Sequence, residues 1–117
     1  MSKLDQNCFG FVPISTESQA RRAIEQESFE RPVMIDFFAH WCDYCKDTAP
    51  EIDDLAGHVC EDARVMKVDV DTAKRLAEEQ GISGLPTVAI FHKGKLVKRS
   101  EGYQPAPAFL KMLKGEE

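Results

Sequence analysis

Long apolar runs are missing from this chain. Its longest purely apolar stretches are about four residues, against the roughly 20 that a membrane-crossing helix needs, so a membrane-spanning reading is excluded. An excess of basic charge is missing too. Fifteen Lys and Arg face 20 Asp and Glu, for a formal net charge of −5. Such a chain lacks the electrostatic footprint of a nucleic-acid binder. Internal repeats, low-complexity stretches and Gly/Ser-rich linkers do not occur. Cysteine is sparse, with four unevenly spaced residues in 117, so no disulfide scaffold carries the fold. The segment Met1 to Val12 has Lys3 and Asp5 but no apolar stretch of signal-peptide length. The expectation is a cytoplasmic protein.

What is present is balanced. Hydrophobic residues make up 43% and charged residues 30%, as in an ordinary globular domain. A chain this long builds one core, and two would each be marginal. The expectation is a flexible arm over residues 1–8 and a single domain over 9–117.

Phe9 to Ile14 holds Gly10 and Pro13 and reads as a weak edge strand. Ser15 or Thr16 caps a helix reaching about Ser28, with Ala20, Ala23 and Ile24 as its apolar stripe. Val33 to Ala39, opened by Pro32, is near-continuously apolar and reads as a central strand buried on both faces. A helix from about Asp43 to His58 carries Ala49, Ile52, Leu55, Ala56 and Val59 at helical spacing, with Pro50 expected to kink it. Arg64 to Asp69 alternates as a strand. Thr72 to Gln80 reads as a helix stopped by Gly81. Thr87 to Phe91 and Leu96 to Ser100 flank His92-Lys93-Gly94-Lys95 as a hairpin. Pro105 introduces a last helix with Phe109, Leu110 and Leu113. The alternation predicts an α/β fold: a mixed sheet of four to five strands flanked by helices on both faces.

The chemistry concentrates in Trp41-Cys42-Asp43-Tyr44-Cys45-Lys46, where the buried strand gives way to a helix. The unpaired N–H groups and positive dipole end of a helix start favour a thiolate, the reactive form of cysteine. Cys42 comes first and is the expected nucleophile. Cys45, one turn further in, is positioned to attack a mixed disulfide on Cys42. A zinc site would need two further ligands. His40, His58, Cys8 and Cys60 form no second pair of metal-ligand spacing, so no metal is expected. Cys60 reads as a small packing residue. Asp36 interrupts the apolar central strand. It is either a buried carboxylate with raised proton affinity or an edge-facing aspartate open to water. Lys67 is open in the same way.

Phe38-Ala39-His40-Trp41-Cys42-x-x-Cys45-Lys46 with Ala49-Pro50, Lys67-Val68-Asp69-Val70-Asp71, Gly81-Ile82, Gly84-Leu85-Pro86-Thr87 and Phe91-x-x-Gly94 together resemble the thioredoxin family, across residues 9–114. The resemblance implies the thioredoxin fold and a thiol–disulfide oxidoreductase that reduces protein disulfides through Cys42 and Cys45 without a bound cofactor. It further implies that Asp36 helps deprotonate Cys45, that Lys67 pairs with Asp36, and that Pro86 is cis. Trp41, Leu85, Pro86 and Gly102 would line the substrate groove, with Asp43 and Tyr44 exposed beside it. The implied partners are disulfide-containing proteins and an external reductase such as a thioredoxin reductase, with no nucleic acid or membrane, and a monomeric state. The sequence departs from the family at Asp43-Tyr44, where Gly-Pro is typical. The rival readings are an oxidase or isomerase in an oxidising compartment, and a binding module with little turnover.

Overall fold

The computed structural model describes residues 10–115. The expected N-terminal arm, Cys8 and Phe9 lie outside them. Five strands form one mixed sheet: β1 (Ile14–Ser15), β2 (Val33–Phe38), β3 (Arg64–Asp69), β4 (Thr87–His92) and β5 (Lys95–Glu101). Their spatial order is β1-β3-β2-β4-β5. The first three are parallel to one another; β4 runs antiparallel to β2, and β5 to β4. Parallel neighbours need crossover helices, which α1 (Glu17–Glu25) and α2 (Asp43–Val59) supply. Helices α3 (Lys74–Glu79) and α4 (Ala106–Lys114) complete the layers.

The pleat of β2 sorts the core. Val33, Ile35 and Phe37 point to one side and pack with Ala20, Ala23 and Ile24 of α1 and Leu76 of α3. Met34 points to the other side and packs with Ile52, Leu55 and Ala56 of α2 and Phe109 of α4. Fully burying a side chain of this size contributes about 1.5–3 kcal/mol. Asp36 shares the Met34 face, beneath α2, and takes no part in that apolar cluster.

Most expected elements are present, with local shifts that have identifiable causes. Strand β1 begins only at Ile14, after Pro13. Thr16, not Ser15, is the N-cap of α1, in a capping box with Gln19. Helix α1 ends at Glu25, and a 3-10 turn over Glu27–Phe29 follows. There the Ser28 hydroxyl accepts the Gly94 N–H at 2.8 Å and the Ser28 carbonyl accepts the Lys93 N–H at 2.9 Å, so this turn is tied to the β4–β5 hairpin. That hairpin turns on two residues, Lys93 (φ 55°) and Gly94 (φ 81°), and His92 pairs with Lys95. Strand β3 is buried from Val65 to Asp69 instead of alternating, because it lies between β1 and β2 under helices on both sides. Helix α3 starts two residues later than expected, since Ala73 has φ −110° and ψ 53°.

Candidate active site

The chain leaves β2 at Phe38, turns with the Cys42 N–H donating to the Ala39 carbonyl at 3.2 Å, and enters α2 at Asp43. Cys42 is the N-cap of α2, and its Sγ accepts the Cys45 N–H at 3.2 Å. A cysteine sulfur therefore occupies the place where an Asp or Ser oxygen usually caps a helix, and once the disulfide is reduced the amide and the dipole of a helix start favour its thiolate. Cys42 and Cys45 are joined as a disulfide, with Cα atoms 5.3 Å apart. Cys42 is 8% exposed and Cys45 3%, which places the expected nucleophile outermost. Ala39, Phe38, Val70 and Leu85 pack around the pair.

Around the pair, the Leu85–Pro86 peptide bond is cis. The Pro86 carbonyl accepts the Gly102 N–H at 2.8 Å, which joins the loop after β5 to the one before β4. Trp41 is 69% exposed, and its indole N–H donates to Asp71 Oδ2 at 2.8 Å. Tyr44 is 67% exposed, and Asp43 lies at the surface with Lys46 at 3.7 Å. Tyr103 also lies open here, its hydroxyl 3.3 Å from Glu51 Oε2, and with Tyr44 it flanks a cleft of about 440 Å³.

Behind the pair lies a cavity of about 350 Å³ that Asp36, Phe38, Cys45 and Lys67 line together with the segment Phe11–Ile14. Asp36 is 1% exposed, which decides the alternative left open by the sequence. Its carboxyl is pushed up to about 7, first by burial; Lys67 opposes the shift, and Asp53 adds to it. Lys67 is buried as well, but its ammonium pairs with Asp53 Oδ1 at 2.9 Å and not with Asp36. The expected Asp36–Lys67 pair is thus replaced, because α2 brings a more accessible carboxylate within reach of the ammonium.

The site also contains Asp53, Asp71 and Tyr103, to which the sequence assigns no role. Cys45, Ala49 and Asp53 stand at i, i+4 and i+8 on α2, a spacing that marks Asp53 as sharing the Cys45 face. Asp71 closes the Lys67-Val68-Asp69-Val70-Asp71 segment, which says nothing of its bond to Trp41, and nothing local in the sequence marks Tyr103. Cys60, at the C-cap of α2, is half-buried and is not a free thiol. Among the described residues, no group of three or more His, Cys, Asp or Glu is arranged to hold a metal ion, and no helix is long and apolar enough to cross a membrane.

The family model for thioredoxin matches residues 12–115. The chain belongs to the thioredoxin family. It is 35% identical to a thioredoxin of Chlamydia trachomatis over 97 residues, covering 79% of this chain and 94% of that one. It is 37% identical over 86 residues to a bifunctional thioredoxin reductase/thioredoxin of Mycobacterium leprae, covering 74% of this chain and 19% of that protein. The crystal structure of chloroplastic thioredoxin z superposes with a TM-score of 0.78 at 30% identity, covering 90% of this chain and 93% of that one. With its paired cysteines at the head of α2, this thioredoxin-family chain is a thiol–disulfide oxidoreductase. These relatives favour neither the oxidase or isomerase nor the binding-module reading.

Proposed function

We propose that this thioredoxin-family protein works as a reductase of protein disulfides. The observation that carries the reading is the Cys42 sulfur at a helix N-cap with Cys45, the more buried of the two, bonded to it from one turn inside. In the dithiol form, the Cys42 thiolate attacks one sulfur of a substrate disulfide, and the other substrate sulfur leaves as a thiolate. Cys45 then loses its proton to Asp36 and attacks Cys42 Sγ. The Cys42–substrate bond breaks, the second substrate sulfur departs as a thiolate, and the Cys42–Cys45 disulfide closes. The substrate gains two electrons and the protein loses two.

Substrate is held along Trp41, Leu85, Pro86 and Gly102, with Leu85-Pro86 offering backbone groups to an extended segment. Asp43 and Tyr44 meet the substrate chain on the α2 side, and the Tyr44–Tyr103 cleft extends that surface. Neither half of the exchange requires a bound cofactor. An external reductase returns the pair to the dithiol; the fusion of a reductase to a thioredoxin in the Mycobacterium leprae relative supports this partner. We assign the protein to cytoplasmic redox homeostasis, acting as a monomer in electron transfer to protein disulfides.

The test is mechanism-based trapping. Cys45→Ser, incubated with an oxidised protein substrate, should accumulate a Cys42-linked mixed disulfide visible on non-reducing gels. Cys42→Ser should accumulate none and should lose reductase activity. Equal activity of Cys42→Ser and the parent protein would overturn the proposal.

A further inference from the structure

Asp36 and Lys67 are register partners on β2 and β3. Parallel neighbours in register carry their side chains to the same face, here the one beneath α2. A buried carboxylate and a buried ammonium so placed have reason to pair, since each loses hydration on burial. They do not pair. Lys67 Nζ lies 2.9 Å from Asp53 Oδ1, and Asp36 Oδ1 has no hydrogen-bond partner. The same Asp53 oxygen accepts the Val12 N–H at 2.8 Å. One carboxylate of α2 therefore holds both the β3 cation and the segment that walls the cavity shared by Asp36 and Cys45. The ammonium also lies 6.0 Å from the Phe11 ring centroid, on that same segment.

We propose that Asp53 is a positioning residue for the resolving half of the exchange: it draws the Lys67 ammonium away from Asp36, leaving that carboxylate free to take the Cys45 thiol proton. The inference rests on Asp36 being the base. In the step concerned, the Cys45 S–H bond breaks and the proton moves to the Asp36 carboxylate. The Cys45 electron pair forms the bond to Cys42 Sγ, and the substrate sulfur leaves with the pair of the broken mixed disulfide. Asp53 touches none of these atoms and acts through charge. Without it, the Lys67 ammonium is released toward Asp36, and an adjacent cation lowers a carboxylate's proton affinity. A weakened base then takes a thiol proton poorly near neutral pH.

The charges that face Asp36 are Lys67 from β3 and Asp53 from α2; the Cys45 thiol, also from α2, shares its cavity, and its register partner on β4 is the uncharged Val88. Neutralising Asp53 removes an anion and frees a cation. Both changes favour ionised Asp36, so they add.

The experiment uses Asp53→Asn, which removes the charge and keeps an oxygen for the Val12 N–H. The Asp36 carboxyl carbon is followed by NMR in the dithiol protein, from about pH 4 to about pH 9, to span its ordinary and raised midpoints. Its midpoint should fall by about one pH unit or more, and the pH profile of the resolving rate should move down with it. Asp53→Glu, which keeps the charge, should restore both toward the parent values. An unmoved midpoint in a folded Asp53→Asn protein would overturn the proposal, because a merely structural Asp53 lowers stability without moving a titration. A double-mutant cycle with Lys67→Met checks the route. With Lys67 removed, Asp53→Asn should shift the midpoint clearly less than before, and an equal shift in both backgrounds would overturn action through Lys67. Asp36→Asn separates this inference from the reading beneath it. An unchanged resolving rate there overturns the base and, with it, this role of Asp53. A slowed rate there, with an unmoved midpoint in Asp53→Asn, overturns the Asp53 role alone.

Discussion

At the scale of single residues, Asp36 carries the largest consequence. Its folded carboxyl sits at about 7, whereas an unfolded aspartate titrates near ~3.9. Between these values the unfolded chain has released a proton that the native protein still holds, so the shift makes stability fall as pH rises. The penalty is absent below the unfolded value and complete above the folded one. Asp36→Asn removes it without opening a cavity. At pH near ~8 this variant should therefore be more stable than the parent, by on the order of a few kcal/mol, and near pH ~4 the two should converge. It should also resolve mixed disulfides about a hundredfold more slowly. Urea titrations at the two pH values and single-turnover kinetics check the pair of outcomes. A variant that is less stable near pH ~8 and equally fast would contradict the assignment of a buried base.

The residues of the redox pair were legible because their chemistry is local: two cysteines one helical turn apart at a strand-to-helix junction suffice. The Asp36–Lys67 relation was not. A sequence shows that two charges fall in strands, but it does not show which third charge from a helix will compete for one of them. Here that competitor is Asp53, which reaches Lys67 at 2.9 Å.

At the scale of elements, helix ends govern the site. The head of α2 is fixed by chemistry that the sequence displays, a cysteine followed by a good helix start. Helix α1 ends at Glu25, where Gln26 leaves helical geometry (φ −122°, ψ −57°), and Ser28 beyond it is tied to the hairpin turn, its hydroxyl accepting the Gly94 N–H across a separation of 66. No local pattern carries that information, so the expected continuation to Ser28 fails there. The α1 start is local again. Thr16 Oγ1 accepts the Gln19 N–H at 3.1 Å, and the Thr16 N–H donates to Gln19 Oε1 at 2.8 Å. Thr16→Ala should cost about 1 kcal/mol in urea unfolding. Because α1 covers the sheet face opposite α2, whose head carries the cysteines, the rate of disulfide reduction under native conditions should stay unchanged. A loss of rate without loss of stability would show α1 to be coupled to the site in a way this fold does not explain.

At the scale of the whole molecule, the alternating strand and helix pattern gave the mixed sheet and its two covered faces, because hydrophobic periodicity is a property of each segment taken alone. Strand order is not. The burial of β3 follows from helices covering both its faces, Val65 packing on the α2 side and Met66 and Val68 on the α1 side, with β1 closing its outer edge, and an alternating segment did not announce those neighbours. The same architecture brings four separate segments to one end of the sheet: the β2–α2 junction, the loop with Asp71, the Leu85-Pro86 turn and the Gly102-Tyr103 loop. In the proposed function that convergence is where a substrate polypeptide meets the dithiol, and the direction of the exchange there is what remains to be measured. The pair departs from the family's typical Gly-Pro at Asp43-Tyr44, and a reducing couple is expected despite it. The most direct test is the equilibrium of the Cys42–Cys45 pair against a defined thiol–disulfide buffer, with the two cysteines resolved by mass spectrometry. A midpoint potential of about −270 mV is the predicted result, and one above roughly −200 mV would contradict a reductase and move the protein to oxidation or isomerisation.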